Sequence, residues 1–559
     1  MRNAQPGLVD HGVPVQEEVE VERPRPVRGE RLPSPAEPPL DGEQDVQESP
    51  GGELGFERGD TVQEARLLAD ADGGGVDERG DRRYLDPRLL PERRHGAADR
   101  LLTTTEVRAQ ANIGARHAGR LRSERVRRRL LIAFLAGVCA FGSSAAAADA
   151  PMEWWLHSIG ADQATPPGPG VPIIVVDGAV DASQPVMRGR PNTTYLNTQV
   201  LTGRDDFHAT AVASLAAAPG NNGYLGVYPQ ANLLVWDAGH GPTQIDPNEA
   251  VLGISTAAHH CPAVINLSFG GRIPTPDLQN AILTAVHNGC LVVAAAGNDG
   301  DRGNPAEYPA AYPHVFSVGA TDENDAPAAF TSSGAWIDVA APGMDVTVPV
   351  PLSQSSSGLA PEDGTSFSAP LVSAAAAWVW TARPTLTASQ VAQILRDTAR
   401  QVRPGGFDLQ TGYGIPNIPA ALTAPAPPSD PSEPNDDIVQ VRPGALFPAG
   451  EPPLTTASRP SNRIAGTLLQ TDDPRDLYRI WVPAHRVVRV AVSAGGAATA
   501  RIWGPATLSV GESGSSRARD LKGRSITGGS AGAFAYADVE LSPESDAASY
   551  VLSVTASKR

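Results

Sequence analysis

Short apolar runs alternate with stretches of helical period through the middle of this chain. The runs lie at 173–176, 233–236, 263–267, 291–296 and 315–319, and helical patterns lie at 248–259 and 275–289. Runs without polar alternation are what strands buried on both faces look like. A buried strand, a helix and another buried strand, repeated, build an α/β fold whose parallel sheet is covered on both faces. The expectation is therefore a doubly wound parallel sheet. Thr275 is expected as an N-cap, with Asp277 in the first turn of its helix. Ligands bind such sheets beyond the C-terminal ends of the strands. Asp177 and Asn298 follow two of the runs and are the first candidates.

Two further segments carry chemistry. Gly364-Thr365-Ser366-Phe367-Ser368-Ala369-Pro370 leads into an Ala-rich apolar helix, Leu371 to Trp380. A serine at a helix start sits beside unpaired backbone N–H groups and the positive end of the dipole, which can hold the oxyanion of an acyl-transfer intermediate. Pro370 is expected near the first turn, where a missing N–H does least harm. His208 opens a second small-residue stretch, His208-Ala209-Thr210-Ala211-Val212-Ala213. An aspartate, a histidine and a serine are the set needed to activate a hydroxyl nucleophile.

With these strings in order, residues from about Trp154 to Leu422 resemble the subtilisin-like serine peptidases, or subtilases. The resemblance rests on Val176-Asp177-Gly178-Ala179-Val180-Asp181, His208-Ala209-Thr210, Val264-Ile265-Asn266-Leu267-Ser268-Phe269-Gly270-Gly271, Ala294-Ala295-Ala296-Gly297-Asn298 and the serine string. The order Asp, His, Ser is the subtilisin order. The resemblance implies Ser366 as nucleophile, His208 as base, Asp177 as its orienting carboxylate and Asn298 as an oxyanion donor. It also implies that Ser268, Phe269 and Gly270 face Ala295, Ala296 and Gly297 across the first specificity pocket. Counting back from Tyr308-Pro309 sets Glu307 at that pocket's floor. There a carboxylate would favour Lys or Arg, with Glu307 pointing into water as the alternative. The chain departs from the family at Gly178 and Ala179, where a hydroxyl residue and glycine are usual. It departs again at Ala209, in place of glycine, and at Ala211, in place of a second histidine. The implied function is a secreted serine endopeptidase acting on proteins or peptides, without a cofactor or catalytic metal. An inactive binding or scaffold module and a serine esterase or transpeptidase are the alternatives.

Composition and segment character bound the rest. The net charge is −17 over 559 residues, which offers no basic field for nucleic acid. No apolar run is long enough to span a bilayer, so no stable membrane insertion is expected, and the enzyme is read as a monomer. Residues 1–125 are rich in Arg, Glu, Asp, Gly and Pro and read as disordered or as an extension that is not made. Arg125-Val126-Arg127-Arg128-Arg129, the apolar stretch Leu130 to Gly142 and the small residues Ser143 to Ala148 have the anatomy of a signal peptide over 126–148. That implies a secreted or periplasmic product. Of the three cysteines, Cys139 falls in that signal. Cys261 and Cys290 each precede a strand, at one end of what would be neighbouring strands. A disulfide is expected in an oxidising compartment, with two buried thiols as the alternative. Few residues separate Ala148 from the first catalytic strand, fewer than a family prodomain needs. Gly220 to Pro229 does not match a family calcium loop.

The peptidase region is set at 149–424 and a Pro-rich linker at 425–432. Residues 433–559 show short alternating runs at 477–482, 486–492, 500–503 and 550–554, as in a β-sandwich. With Ser432-Glu433-Pro434-Asn435-Asp436-Asp437 and Asp472-Asp473-Pro474-Arg475-Asp476-Leu477-Tyr478, this part resembles the bacterial pre-peptidase C-terminal domain. Asp472, Asp473 and Asp476 read as a solvated turn, with a calcium site as the alternative.

Overall fold

A computed structural model describes residues 66–67, 153–201, 207–241, 244–510 and 520–558. The signal pattern over 126–148 and the extension over 1–125, residues 66–67 apart, lie outside the described residues.

The peptidase region runs through α1 (Trp154–Ser158), β1 (Ile173–Asp177), β2 (Thr193–Tyr195), α2 (His208–Ala217), β3 (Leu233–Asp237) and α3 (Pro247–Ala257). It continues through β4 (Val264–Leu267), α4 (Pro276–His287), β5 (Leu291–Ala295), β6 (Val315–Thr321) and β7 (Val339–Pro342). A hairpin, β8 (Val346–Pro349) and β9 (Leu359–Glu362), precedes α5 (Thr365–Ala382), α6 (Ala388–Asp397) and α7 (Ile418–Thr423).

Seven strands form one sheet in the order β2-β3-β1-β4-β5-β6-β7, and every pairing is parallel. Alternate residues of β1 serve opposite faces. Ile173 and Val175 join the cluster containing Ala213, Val372 and Ala376 of α2 and α5. Ile174 and Val176 join the cluster containing Ile254 and Ile282 of α3 and α4. Each strand is therefore apolar on both sides, which is why the runs lack polar alternation. The chain enters the sheet at β1, builds β2 and β3 on one side, then crosses to β4 on the other. The strand order reverses beside the end of β1, where Asp177 sits.

Local signals explain several ends. Asp246 caps α3, accepting from the N–H groups of Asn248 (2.8 Å) and Glu249 (3.3 Å), with Pro247 at the first helical position. Thr387 and Gln390 form a reciprocal capping box on α6. Thr275 does hold the N-cap position of α4, but its side chain makes no cap bond. Its N–H instead donates to the Tyr312 hydroxyl at 2.7 Å. Pro370 lies inside α5 rather than at its edge, because that helix already begins at Thr365. Cys261 and Cys290 are joined in a disulfide with Cα atoms 5.0 Å apart.

After α8 (Ile438–Val441) come β10 (Asn462–Leu469), β11 (Arg475–Val482), β12 (Arg486–Ser493), β13 (Ala498–Trp503), β14 (Ser525–Thr527), β15 (Ala533–Leu541) and β16 (Ala547–Lys558). They form two antiparallel sheets, β10-β16-β12-β14 and β11-β15-β13. Ile480, Ile502 and Val539 of one sheet share an apolar cluster with Val488, Val490 and Leu552 of the other.

Candidate active site

Asp177 ends β1 and is fully buried. Its Oδ1 accepts from His208 Nδ1 at 2.9 Å and from the Gly178 N–H at 2.7 Å. His208 is the first residue of α2 and is 4% exposed. Every residue of α2 is buried, Ala209 and Ala211 included. Asp237 ends the neighbouring strand in register with Asp177. Burial pushes its carboxyl up, against the N–H groups of Val200 and Gly239, and Asp177 adds to the rise.

Ser366 is the second residue of α5, and its neighbour Phe367 packs its ring 5.8 Å from the His208 ring. Asn298 follows β5, and its Oδ1 accepts from both the N–H and the hydroxyl of Thr365, each at 3.0 Å. The Thr365 hydroxyl oxygen also accepts the Gly297 N–H at 3.1 Å. One threonine therefore ties the serine helix to the loop after β5 and fixes which end of the Asn298 amide is its donor end. Thr365 lies within the serine string, but nothing in the sequence marks it apart from its neighbours.

The expected pocket residues separate into two kinds. Ser268 is fully buried, and its hydroxyl donates to the Ser366 carbonyl at 2.8 Å. Phe269 is 2% exposed and belongs to the core on the α3/α4 side. Their side chains thus serve the interior. Ala295 and Ala296 are likewise buried. Gly270 and Gly297 are different: they make room for Glu307. A Cβ on Gly297 would lie 2.4 Å from the Glu307 carboxyl carbon, and one on Gly270 would lie 3.0 Å from its Oε2. Glu307 is 3% exposed, so it does not point into water. Its segment is fastened to the 268–271 segment by paired Gly271–Tyr308 backbone bonds of 2.8 and 2.7 Å. Arg272 pairs with Asp299 on the same side.

Residues 168–414 match the profile of the subtilase family. Subtilisin DY of Bacillus licheniformis is 34% identical over 257 residues, covering 91% of that protein and 45% of this chain. The chain belongs to the subtilase family. Subtilisin E of Bacillus subtilis (strain 168) is 33% identical over 258 residues. There the subtilase match spans 66% of the relative, just under two thirds of its length. A solved psychrophilic subtilisin-like protease of the Antarctic psychrotroph Pseudoalteromonas sp. AS-11 superposes with a TM-score of 0.43 at 21% identity. That superposition covers 48% of this subtilase and 96% of the solved chain. Among the described residues no helix is long and apolar enough to cross a membrane.

A second polar centre lies where the C-terminal sheets meet the peptidase region. Asp430, Glu433 and Asp473 bring ligand oxygens within 4.8 Å of one another, with Asp436 and Asp476 close by. Asp473 is 8% exposed and Asp476 is fully buried, so this is not the solvated turn expected from sequence. Oδ1 of Asp430, Asp436, Asp473 and Asp476 meets no hydrogen-bond donor. Burial, with the neighbouring carboxylates adding to it, holds Glu433, Asp473 and Asp476 well above the usual carboxylate range. An all-oxygen, carboxylate-rich group of this kind suits a hard cation such as Ca²⁺. On the peptidase side His314 donates to Asp436 at 2.7 Å, and its pKa is raised to about 9. There burial works against the charge, and the Asp436, Asp472 and Asp476 carboxylates together outweigh it.

Proposed function

We infer that this subtilase is an active serine endopeptidase that hydrolyses peptide bonds through an acyl-enzyme. The observation that carries this reading is the 2.9 Å bond from His208 Nδ1 to buried Asp177. A carboxylate that accepts from Nδ1 selects the tautomer whose Nε2 is the base. In the reaction, Nε2 takes the proton of Ser366 Oγ as that oxygen attacks the scissile carbonyl. The oxyanion that forms is met by the Asn298 amide donor and the Ser366 N–H at the start of α5. Thr365, by occupying Asn298 Oδ1, supports this orientation. His208 then returns the proton to the leaving amine, and water repeats the sequence on the acyl-enzyme. Losing one oxyanion donor costs on the order of 10²–10³ in turnover, a magnitude itself measured on a subtilisin.

The substrate backbone adds as a strand beside 268–270. Ala295, Ala296 and Gly297 form the facing wall, and Glu307 between Gly270 and Gly297 supplies negative charge at the floor. A charge-assisted bond there selects Lys or Arg before the scissile bond. The product is exported, cleaved after 126–148, and carries the Cys261–Cys290 bond. Its peptidase domain spans 149–424, and 433–559 is a β-sandwich of the pre-peptidase C-terminal kind. It acts as a monomer.

The test is labelling by a fluorophosphonate, with peptide mapping of the labelled residue. Wild type is expected to label at Ser366 and to hydrolyse casein, and Ser366→Ala to do neither at a measurable rate. Wild type that neither labels nor cleaves, yet folds, would leave the inactive scaffold as the reading.

A further inference from the structure

Pro370 is the sixth residue of α5. In an uninterrupted helix the N–H at position 370 would donate to the carbonyl of Ser366, four residues earlier, and proline has no N–H to give. The Ser366 carbonyl is buried with its residue, so a partner for it matters. The donor comes from outside the helix: Ser268 Oγ lies 2.8 Å from that carbonyl. Ser268 is itself held. Asn266 Nδ2 donates to Ser268 Oγ at 2.9 Å, and Ser373 Oγ donates to Asn266 Oδ1 at 2.9 Å.

The direction of this chain is forced by the chemistry of its members. A hydroxyl has one hydrogen. Ser268 accepts from an amide N–H, so its own proton is directed to the Ser366 carbonyl. Asn266 turns its carbonyl oxygen to Ser373 and its amide nitrogen to Ser268, which fixes the flip of that side chain. Ser373, Asn266, Ser268 and Ser366 are all fully buried, so water does not compete. Ser366 and Ser373 are two helical turns apart on one face of α5, and Asn266 belongs to the strand beneath. The polar chain thus leaves the helix at Ser373, crosses β4 and returns to the helix at Ser366.

We propose that Ser373, Asn266 and Ser268 are positioning residues that set the backbone of Ser366, and so the aim of its Oγ, by supplying the hydrogen bond that Pro370 withholds. The proposal rests on Ser366 being the nucleophile. A turn of α5 that lacks one of its ladder bonds is held less firmly, and a nucleophile loses rate steeply with small displacements. The Ser268 hydroxyl replaces that missing constraint from the strand side. A reason for two serines and an asparagine in an otherwise apolar contact follows directly: each is needed to point the next.

The experiment is a double-mutant cycle on the full chain, read as the rate constant for fluorophosphonate labelling of Ser366 in folded protein. Ser268→Ala is expected to slow labelling about tenfold to hundredfold, the loss of one buried hydrogen bond. In a Pro370→Ala background an N–H is available at 370, and the same Ser268→Ala change is expected to slow labelling by less than about threefold. Ser373→Ala, at the far end, is expected to slow labelling about threefold to tenfold, and it keeps the test open if Ser268→Ala does not fold. A packing role for Ser268 would lower Tm without this dependence on Pro370. Ser268→Ala labelling at the wild-type rate, or an equal loss in both backgrounds, overturns the proposal. Wild type that fails to label at Ser366 overturns the nucleophile assignment itself, a separate outcome read in the same assay.

Discussion

Arg396 on α6 is the most informative place to perturb stability, because its partners come from two parts of the chain. It is 6% exposed. Its Nε meets Asp338 Oδ1 at 2.6 Å, just before β7, and a terminal nitrogen meets Asp472 Oδ2 at 2.8 Å, in the turn before β11. The guanidinium also lies 5.2 Å from the Phe316 ring centre. Asp338 is 5% exposed, and its other oxygen accepts the Ser317 N–H at 2.7 Å. Arg396→Met keeps the stem and removes the charge. It leaves a buried carboxylate without its cation, which costs about 3–5 kcal/mol. That is a large share of the stability of an ordinary domain. The pH dependence has a definite sign. Burial already pushes Asp338 up to about 6 from 3.8, with Arg396 pulling the other way. A carboxyl raised in the fold contributes stability at low pH that is lost as pH rises through its folded value. Without Arg396 the value climbs further, so the cost is expected to be larger at pH 8 than at pH 5. The assay is urea unfolding by tryptophan fluorescence in a Ser366→Ala background, which prevents self-digestion. Arg396→Met with Asp338→Asn is expected to regain part of the loss, since the amide carries no charge to strand. A single variant within about 1 kcal/mol of its parent at pH 8, or no recovery in the double variant, would refute the reasoning.

Three other outcomes are expected. Peptide substrates with Lys or Arg before the scissile bond should be cleaved best, and Glu307→Gln should lower kcat/KM for them about tenfold to hundredfold, with Leu and Phe substrates nearly unchanged; Phe or Leu preferred by both proteins would remove Glu307 from the pocket. Cys261 and Cys290 are 29 residues apart in sequence, and replacing both by serine should destabilise by roughly 3–4 kcal/mol on the chain-entropy account; an unchanged unfolding midpoint, or two thiols titratable in the denatured unreduced wild type, would count against the bond. Millimolar Ca²⁺ should raise the unfolding midpoint and EDTA reverse it, with Asp473→Asn abolishing the response; identical midpoints with and without Ca²⁺ would leave the carboxylates as a protonated network.

The strands of the central sheet are legible in the chain because their signal is local. The five apolar runs correspond to β1, β3, β4, β5 and β6, since a strand buried on both faces must be apolar at every position, and that pattern is visible without a partner. Asp177, His208, Asn298 and Ser366 are visible for a related reason: each is a polar residue at the edge of an apolar element, where a parallel sheet presents its ligand-binding end. Strand β7 (Val339–Pro342) and the β8–β9 hairpin carry no such signal. They are short, and their residues are strands only because neighbours pair with them. The fate of the polar groups is settled by packing at long range. Glu307 and Asp473 have the chemistry of surface residues, and only the meeting of distant segments buries them. Ser268 reads as a pocket wall, but a proline at 370, about a hundred positions away, gives its hydroxyl a carbonyl to satisfy. Periodicity records which side of an element meets the core, whereas a hydrogen-bond partner belongs to another part of the chain and leaves no local trace.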